Sequence, residues 1–183
     1  MKTLVFHRSP LLKLTFSAMF LAIGLVLPYL TGNIPEVGAS LCPLHIPVLL
    51  CGYICGAPWG VALGVVLPVL RSTLFSMPPM MPTAVSMAFE LAAYGLVAGL
   101  FSKNFIRKPV GMYVSLITAM AAGRIVWGLA SAALYAAMGS AFSWALFAAG
   151  AVLNAVPGII LQLILIPAVL YALTRARLIP LGK

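Results

Sequence analysis

The sequence predicts an all-α, polytopic membrane protein: a bundle of about six transmembrane helices with both termini in the cytoplasm. Hydrophobic residues make up 63% of the 183 residues and charged residues only 7%, whereas soluble domains average about 25% charged residues. Nine of the eleven lysines and arginines fall in three short clusters, a pattern typical of cytoplasmic loops. The clusters are Lys2, Arg8 and Lys13; Lys103, Arg107 and Lys108; Arg175, Arg177 and Lys183.

We expect a single integral membrane domain over residues 1–183, because apolar segments fill the whole chain. The predicted helices run over about residues 11–30, 44–56, 61–75, 83–101, 110–138 and 144–173. An even number of helices places all three basic clusters on one side of the bilayer. For that reason we interpret the first segment as a helix and not as a signal peptide, although Val37-Gly38-Ala39 faintly resembles a cleavage site.

The first predicted helix contains the pattern Ala18-x-x-x-Ala22. Small residues four apart lie on one helix face and let another backbone approach closely, which favours helix association in lipid. Two interpretations follow from the residues alone. The pattern serves packing inside the protein's own bundle, or it forms a docking face for another membrane subunit.

The segment between the first two helices, residues 31–43, is long for so compact a chain and carries Glu36. Long loops in compact proteins tend to be lids or binding segments. His45 follows at the start of the second helix, either as an interfacial residue or as a ligand contact. Residues 57–60 (Ala-Pro-Trp-Gly) are predicted to form a tight cytoplasmic turn.

Two arginines and one glutamate fall inside the apolar segments: Arg71 in helix 3, Glu90 in helix 4 and Arg124 in helix 5. An ionisable group at membrane depth costs about 2.5 to 3.5 kcal/mol on insertion scales, so it usually has a partner and a function. Glu90 belongs to a polar stripe at helical spacing, and Arg124 to a second one. The stripes are Thr83, Ser86, Glu90 and Tyr94, and Arg124, Trp127, Ser131 and Tyr135.

Counted from the predicted helix ends, Arg71, Glu90 and Arg124 lie in the outer half of the bilayer, as does Asn154 before a predicted break at Pro157-Gly158. With Tyr94 and Trp127 they could line one pocket that opens outward. Glu90 neutralises one arginine, and the other then needs an anion. Since the guanidinium fork suits a carboxylate, we expect a small ligand with an acidic group. The alternative is an internal Arg–Glu–Arg network that only fixes helix register.

Other function classes fit the composition poorly. Glu36 and Glu90 are the chain's two acidic residues and there is no aspartate, so we expect no catalytic dyad, no metal site and no enzymatic activity. Cys42 and His45 could pair, but nothing activates them, and we expect the three cysteines to serve packing. No phosphate-binding Walker motif is present. The position of the basic clusters argues against nucleic acid, and we expect no cofactor.

Several stretches together resemble the substrate-binding S components of energy-coupling factor (ECF) transporters, the vitamin importers of prokaryotes. Ala18-x-x-x-Ala22 matches the family's docking motif for the transmembrane T component, and the order and spacing of the other stretches also match. These are Cys42-Pro-Leu-His-Ile-Pro-Val-Leu-Leu50 with Gly52 and Gly56, Met80 to Gly99 including Pro-Thr-Ala-Val-Ser-Met-Ala-Phe-Glu90, Gly123-Arg-Ile-Val-Trp-Gly128, and Pro157-Gly-Ile-Ile-Leu-Gln-Leu163.

The resemblance implies a six-helix subunit of a prokaryotic cell membrane that binds a vitamin near the outer surface with high affinity. It implies release by toppling in the bilayer, driven by the T component and two cytoplasmic ATPases. Carried onto this chain, the resemblance places the binding site around Glu36, with Glu90, Tyr94, Arg124, Trp127 and Asn154. It also implies that Ala18 and Ala22 face the T component.

The two intramembrane arginines favour a carboxylate-bearing vitamin, with pantothenate first and folate or another acidic vitamin behind it. Riboflavin, pyridoxine-type and thiamine-type ligands also remain open. The alternative from another class is a self-contained small secondary transporter, or a structural membrane subunit with an internal Arg–Glu network. Neither of those would need an ATPase.

Overall fold

The computed structural model describes residues 9–30, 40–105, 109–145 and 155–176, and within these ranges the regular structure is helical. Six helices of eleven residues or more follow one another in this part of the chain. They are α1 (Pro10–Leu30), α2 (His45–Cys55), α3 (Ala57–Phe75), α4 (Val85–Phe105), α5 (Pro109–Ala137) and α6 (Val156–Arg175). A wide turn over Met80–Ala84 precedes α4.

Five stretches of the described chain are long and apolar enough to cross a membrane. They correspond to α1, α3, α5, α6, and α4 with its preceding turn. The remaining helix, α2, has eleven residues and is about 16 Å long, about half of the roughly 30 Å hydrocarbon layer. The described part of the chain is therefore all-helical, and the protein is a multi-pass membrane protein, as its composition predicts.

Helix α2 forms the centre of the bundle, since each of its residues is buried. A helix that is apolar on all sides is expected in such a position. Tyr53 and Cys51 are among its side chains that make polar contacts with the helices around it. The Tyr53 and Ser115 hydroxyl oxygens lie 2.9 Å apart between α2 and α5, and the Ser17 hydroxyl lies 3.4 Å from the Cys51 sulfur between α1 and α2.

Glycines bring α2, α3 and α4 into backbone contact. Each of these helices contains or adjoins a pair of glycines four apart: Gly52 and Gly56, Gly60 and Gly64, Gly95 and Gly99. A Cβ atom on Gly60 would lie 2.7 Å from the carbonyl oxygen of Gly95, and one on Gly64 would lie 2.5 Å from that of Leu91. Small residues at this spacing allow close packing in lipid, so these glycines fix the position of Glu90 and Tyr94 on α4.

The link between α2 and α3 is shorter than the sequence predicts. Helix α3 begins at Ala57, and Pro58 lies in its first turn, where the missing N–H of proline costs nothing. The predicted turn over residues 57–60 is therefore helical. Gly56 makes the reversal between the two helices, with φ at +97°, a left-handed conformation that glycine adopts without steric cost.

Helix α6 begins at Val156, with Pro157 in its first turn. The sequence predicts a helix from about residue 144 with a break at Pro157-Gly158. Trp144 and Ala145 are helical, and a helix start at Val156 agrees with an interruption close to Pro157, because proline is most favourable in the first turn of a helix. Residues 146–154 lie outside the described part of the chain.

One end of the bundle gathers the starts of α2, α4 and α6. Here the backbone of Ser40 and Leu41 lies against α6, since a Cβ atom on Gly158 would come within 2.6 Å of the Ser40 carbonyl oxygen. We call this end, with Ser40, Leu41 and the three helix starts, the polar end. Lys13 in the first turns of α1 and Arg175 in the last turn of α6 lie towards the opposite end.

Candidate functional site

The carboxylate of Glu90 is the centre of a buried polar cluster. Its Oε1 atom lies 3.2 Å from Nε2 of His45 and 3.0 Å from Nη1 of Arg124. These are ion-pair distances, but neither contact has the alignment of a hydrogen bond, since Oε1 and Nε2 both lack an aligned partner. We define the buried cluster as His45, Glu90, Tyr94, Arg124 and Trp127.

Glu90 and Arg124 differ in exposure, and the difference matters for access. The Glu90 side chain is 2% exposed, whereas the Arg124 side chain retains 18% of its surface. The exposed part of the cluster is therefore the guanidinium and not the carboxylate. The formal charges of the two groups cancel, so the pair adds no net charge to the interior of the protein.

Local backbone structure brings His45 and Cys42 to the cluster. The backbone N–H of His45 donates to the carbonyl of Cys42 over 3.1 Å, so a tight turn starts α2. Nη2 of Arg124 lies 3.5 Å from the Cys42 sulfur and donates to it. This contact ties the turn before α2 to the guanidinium on α5.

Aromatic rings form the rest of the cluster. The rings of His45 and Tyr94 meet edge to face with centroids 4.9 Å apart, and the Arg124 guanidinium lies 5.7 Å from the centre of the Trp127 ring. Gly123 makes room for Tyr94, because a Cβ atom at this position would collide with the tyrosine ring. A cation over an aromatic face is stabilised by the ring quadrupole, so Trp127 helps to hold Arg124 in place.

Most of the predicted polar stripe of α4 lies inside the protein. Ser86, Glu90 and Tyr94 are each at most 2% exposed. The second predicted stripe, on α5, also turns inward, with Ser131 buried and Arg124 partly buried. The helical spacing of these residues therefore indicates correctly which faces of α4 and α5 point into the bundle.

Several buried polar atoms of the cluster have no hydrogen-bond partner. In the described part of the chain these are Nδ1 and Nε2 of His45, Oε1 of Glu90, Nε of Arg124 and Oε1 of Gln162. A buried polar group without a hydrogen bond costs about 1 to 3 kcal/mol, and native structures have few of them. Four of these five atoms belong to one cluster, and Nδ1 of His45 and Nε of Arg124 have neither a hydrogen bond nor one of the ion-pair contacts to Glu90.

Arg71 lies elsewhere, against α1. Its Nη1 donates to the carbonyl oxygen of Leu25 over 2.8 Å, and its guanidinium lies 5.6 and 5.4 Å from the ring centres of Tyr29 and Phe75. These contacts hold the end of α3 to α1. The structure thus brings together Glu90 and Arg124 but shows Arg71 in a separate set of contacts.

Two predicted site residues, Glu36 and Asn154, lie outside the described residues. The sequence did not lead us to include Cys42 and Gln162 among the site residues, although both are buried polar or polarisable groups near the polar end. The sequence alone could have identified Gln162 as a site candidate, because an amide inside an apolar helix needs a partner. Cys51 and Cys55 are buried free cysteines in α2, in keeping with the packing role predicted for them.

Comparison with known protein families places most of the chain in one of them. The family described as "ECF transporter, substrate-specific component" matches residues 12–170, a range that includes every residue of the buried cluster. Neither the curated proteins nor the solved structures contain a significant match to the chain.

Proposed function

The chain belongs to the family of ECF transporter substrate-specific components, and we propose that the buried cluster is its substrate site. Members of the family are substrate-binding transport subunits. The single observation that carries the proposal is the set of buried polar atoms on His45, Glu90 and Arg124 that lack an aligned hydrogen bond. A purely structural network would be expected to pair its buried donors and acceptors, whereas a binding site pairs them with its ligand.

The proposed substrate is a water-soluble vitamin with a carboxylate, pantothenate first and folate or another acidic vitamin second. Because Arg71 contacts α1 and Glu90 already neutralises Arg124, the preference for a carboxylate rests on the Nε–H of Arg124, which has no hydrogen-bond partner. Nδ1 of His45, which has no hydrogen-bond partner, would contact a polar group of the same substrate. The rings of Tyr94 and Trp127 would contact the apolar part of the vitamin.

We also propose that Glu36 and Asn154 contact the substrate, since their segments adjoin the polar end in sequence. Residues 31–39 precede Ser40 and Leu41, which pack on α6, and Asn154 lies two residues before the start of α6. Arg71 would then support the site from outside by holding α3 against α1.

The proposed topology has six crossings with both termini in the cytoplasm of a prokaryotic cell. Helix α2 is too short to cross alone, and residues 40–44 would complete its passage. The basic residues Lys13 and Arg175 support this orientation, because they lie towards the end of the bundle opposite the buried cluster. The positive-inside rule places that end in the cytoplasm.

Transport itself would require the T component and two ATPases. Ala18 and Ala22 lie on the outer surface of α1 and so are available to a partner helix, which supports the docking interpretation over packing within the bundle. We propose that the subunit topples in the membrane to release its vitamin inward, with the energy of ATP hydrolysed by the partner subunits.

The Glu90–Arg124 ion pair favours one alternative, a self-contained secondary transporter or a structural subunit in which the pair only fixes the helices. A secondary transporter would transport its substrate in membranes that lack the T component and ATPases. A structural subunit would transport nothing in any membrane. Uptake that needs those partners separates the two proposals.

Isothermal titration calorimetry on the protein purified alone in detergent tests the proposed function. The titrants are pantothenate, folate, riboflavin, thiamine and pyridoxine. We expect pantothenate to bind with a Kd below about 1 μM, which corresponds to a binding free energy more negative than about −8 kcal/mol. Tight binding of another vitamin would keep the capture role and correct the substrate. No binding of any of the five would contradict the proposal.

A further inference from the structure

Gln162 is a buried amide whose environment does not satisfy it. The residue is 2% exposed, and within the described chain its Oε1 atom has no hydrogen-bond donor. Among the described residues with such an atom, it is the one that does not belong to the buried cluster. A glutamine at this position therefore destabilises the empty protein relative to an apolar residue of similar shape.

The position of Gln162 on α6 places it on the face that meets the polar end. Gly158, Gln162, Ile166 and Leu170 are the buried residues of α6, and their spacing of four defines one face. Gly158 packs against the backbone of Ser40 and Leu41. Gln162 follows one turn later, about 6 Å along the axis.

The same segment leads directly to the cluster. Leu41 is followed by Cys42, whose sulfur accepts from Arg124 and whose carbonyl accepts from the N–H of His45. Helices α2 and α6 both start at the polar end, so His45 and Gln162 lie on helices that run inward from the same side. A small molecule held by Arg124 and His45 would thus approach the inner face of α6.

We propose that Gln162 is a further substrate-binding residue, whose carbonyl oxygen accepts a hydrogen bond from an O–H or N–H group of the substrate. The inference rests on the proposed function and adds to it a requirement on substrate chemistry. Arg124 offers a donor for an acidic or carbonyl group, whereas Gln162 Oε1 offers an acceptor. The substrate must therefore carry an acceptor at one end and a hydroxyl or amide N–H donor at another.

The chemistry gives a clear expectation for an apolar replacement. Gln162→Met keeps an unbranched side chain of similar length but removes the unpaired acceptor. The empty variant should be as thermally stable as the wild type or more stable, because no polar group is left buried without a partner. The bound state should lose one hydrogen bond, and the Kd for the vitamin should rise about tenfold.

Leu170→Met is the matched control. Leu170 is fully buried on the same face of α6, two turns further from the polar end, and a Leu-to-Met exchange conserves volume. Its Kd should stay within about twofold of the wild type, because a residue that does not touch the ligand contributes little to affinity.

The experiment is calorimetric titration of wild-type protein, Gln162→Met and Leu170→Met with pantothenate, and with folate, riboflavin, thiamine and pyridoxine where the wild type binds one of those instead. A tenfold loss confined to Gln162→Met supports the inference. Equal binding by wild type and Gln162→Met overturns it and leaves the proposed function intact. A Gln162→Met protein that fails to fold also overturns it, since the amide would then be structural. A wild type that binds none of the five overturns both the inference and the proposed function.

Discussion

Glu90 and Arg124 form an ion pair whose two members depend on each other for burial. The carboxylate is almost completely enclosed, and its contacts are ionisable groups on two other elements, His45 at the start of α2 and Arg124 on α5. Removal of one member of such a pair leaves the other charge uncompensated, which typically costs about 3 to 5 kcal/mol. Removal of both leaves no charge to compensate.

We therefore expect Glu90→Gln and Arg124→Gln to lower the melting temperature of the detergent-purified protein. Each substitution should reduce the free energy of unfolding by about 3 to 5 kcal/mol. The double variant should lose clearly less than the sum of the two single losses, because two amides can hydrogen-bond to each other. Thermal unfolding of all four proteins in the same detergent measures this. Additive losses would mean that the two side chains do not interact.

The sequence could predict that Glu90 is paired but could not identify its partner. Two intramembrane arginines are available, and helical spacing alone places both at similar depth. The structure selects Arg124, although both α3 and α5 pack on α4. Arg71 instead meets the Leu25 carbonyl and the Tyr29 ring of α1 and the Phe75 ring of its own helix. That choice depends on helix packing, which one sequence does not specify.

Among the helices, three glycine pairs determine where α4 lies. Gly95 packs directly on the backbone of Gly60, and Gly99 on that of Ala57, so no side chain separates α3 from α4 at these points. Glu90 and Tyr94 lie within five residues of Gly95 along the helix. Any change that pushes α4 away from α3 should therefore also disturb the buried cluster.

Gly95→Ala tests this dependence. The added methyl group meets fixed backbone, and overpacking of this kind costs about 1 to 3 kcal/mol. Thermal unfolding should show a lower melting temperature, and calorimetry a weaker affinity for the vitamin. Gly24→Ala is the control, since its new Cβ would meet the movable ends of the Leu67 side chain at 2.6 Å. Equal effects of the two substitutions would argue against a special role for the glycine contact.

The apolar segments and their order were predictable because hydropathy and charge decide what can enter a bilayer. The residues at which the helices begin and end were less predictable. From the sequence, Pro58 indicates a turn, but it lies in the first turn of α3, where proline fits as well as it does in a loop. One sequence gives no means of choosing between these two roles when the flanking residues are all apolar.

For the molecule as a whole, the outer face of α1 is available for assembly. Ala18 and Ala22 lie on it beside exposed apolar side chains such as Leu14, Met19 and Val26. Lipid covers such a face when the subunit is alone. Small residues at spacing four would allow a partner helix to come close, so a partner helix can replace lipid on this face of α1.

Ala18→Trp should leave vitamin binding by the isolated subunit unchanged, because the new side chain points away from the bundle. It should abolish ATP-dependent uptake in proteoliposomes that contain the T component and both ATPases, since a large side chain blocks close helix approach. Ala133→Trp on α5 introduces the same bulk at another exposed position and should transport normally. Normal uptake by Ala18→Trp would contradict a docking role for this face.

Native mass spectrometry can show whether the buried cluster holds the substrate, even while the vitamin is unidentified. The protein is purified from cells in mild detergent, as wild type and as the Glu90→Gln, Arg124→Gln double variant. We expect the wild type to carry an additional mass that matches a vitamin, and the folded double variant to carry none. A double variant that retains the same mass would place the substrate elsewhere in the protein and contradict the proposed site.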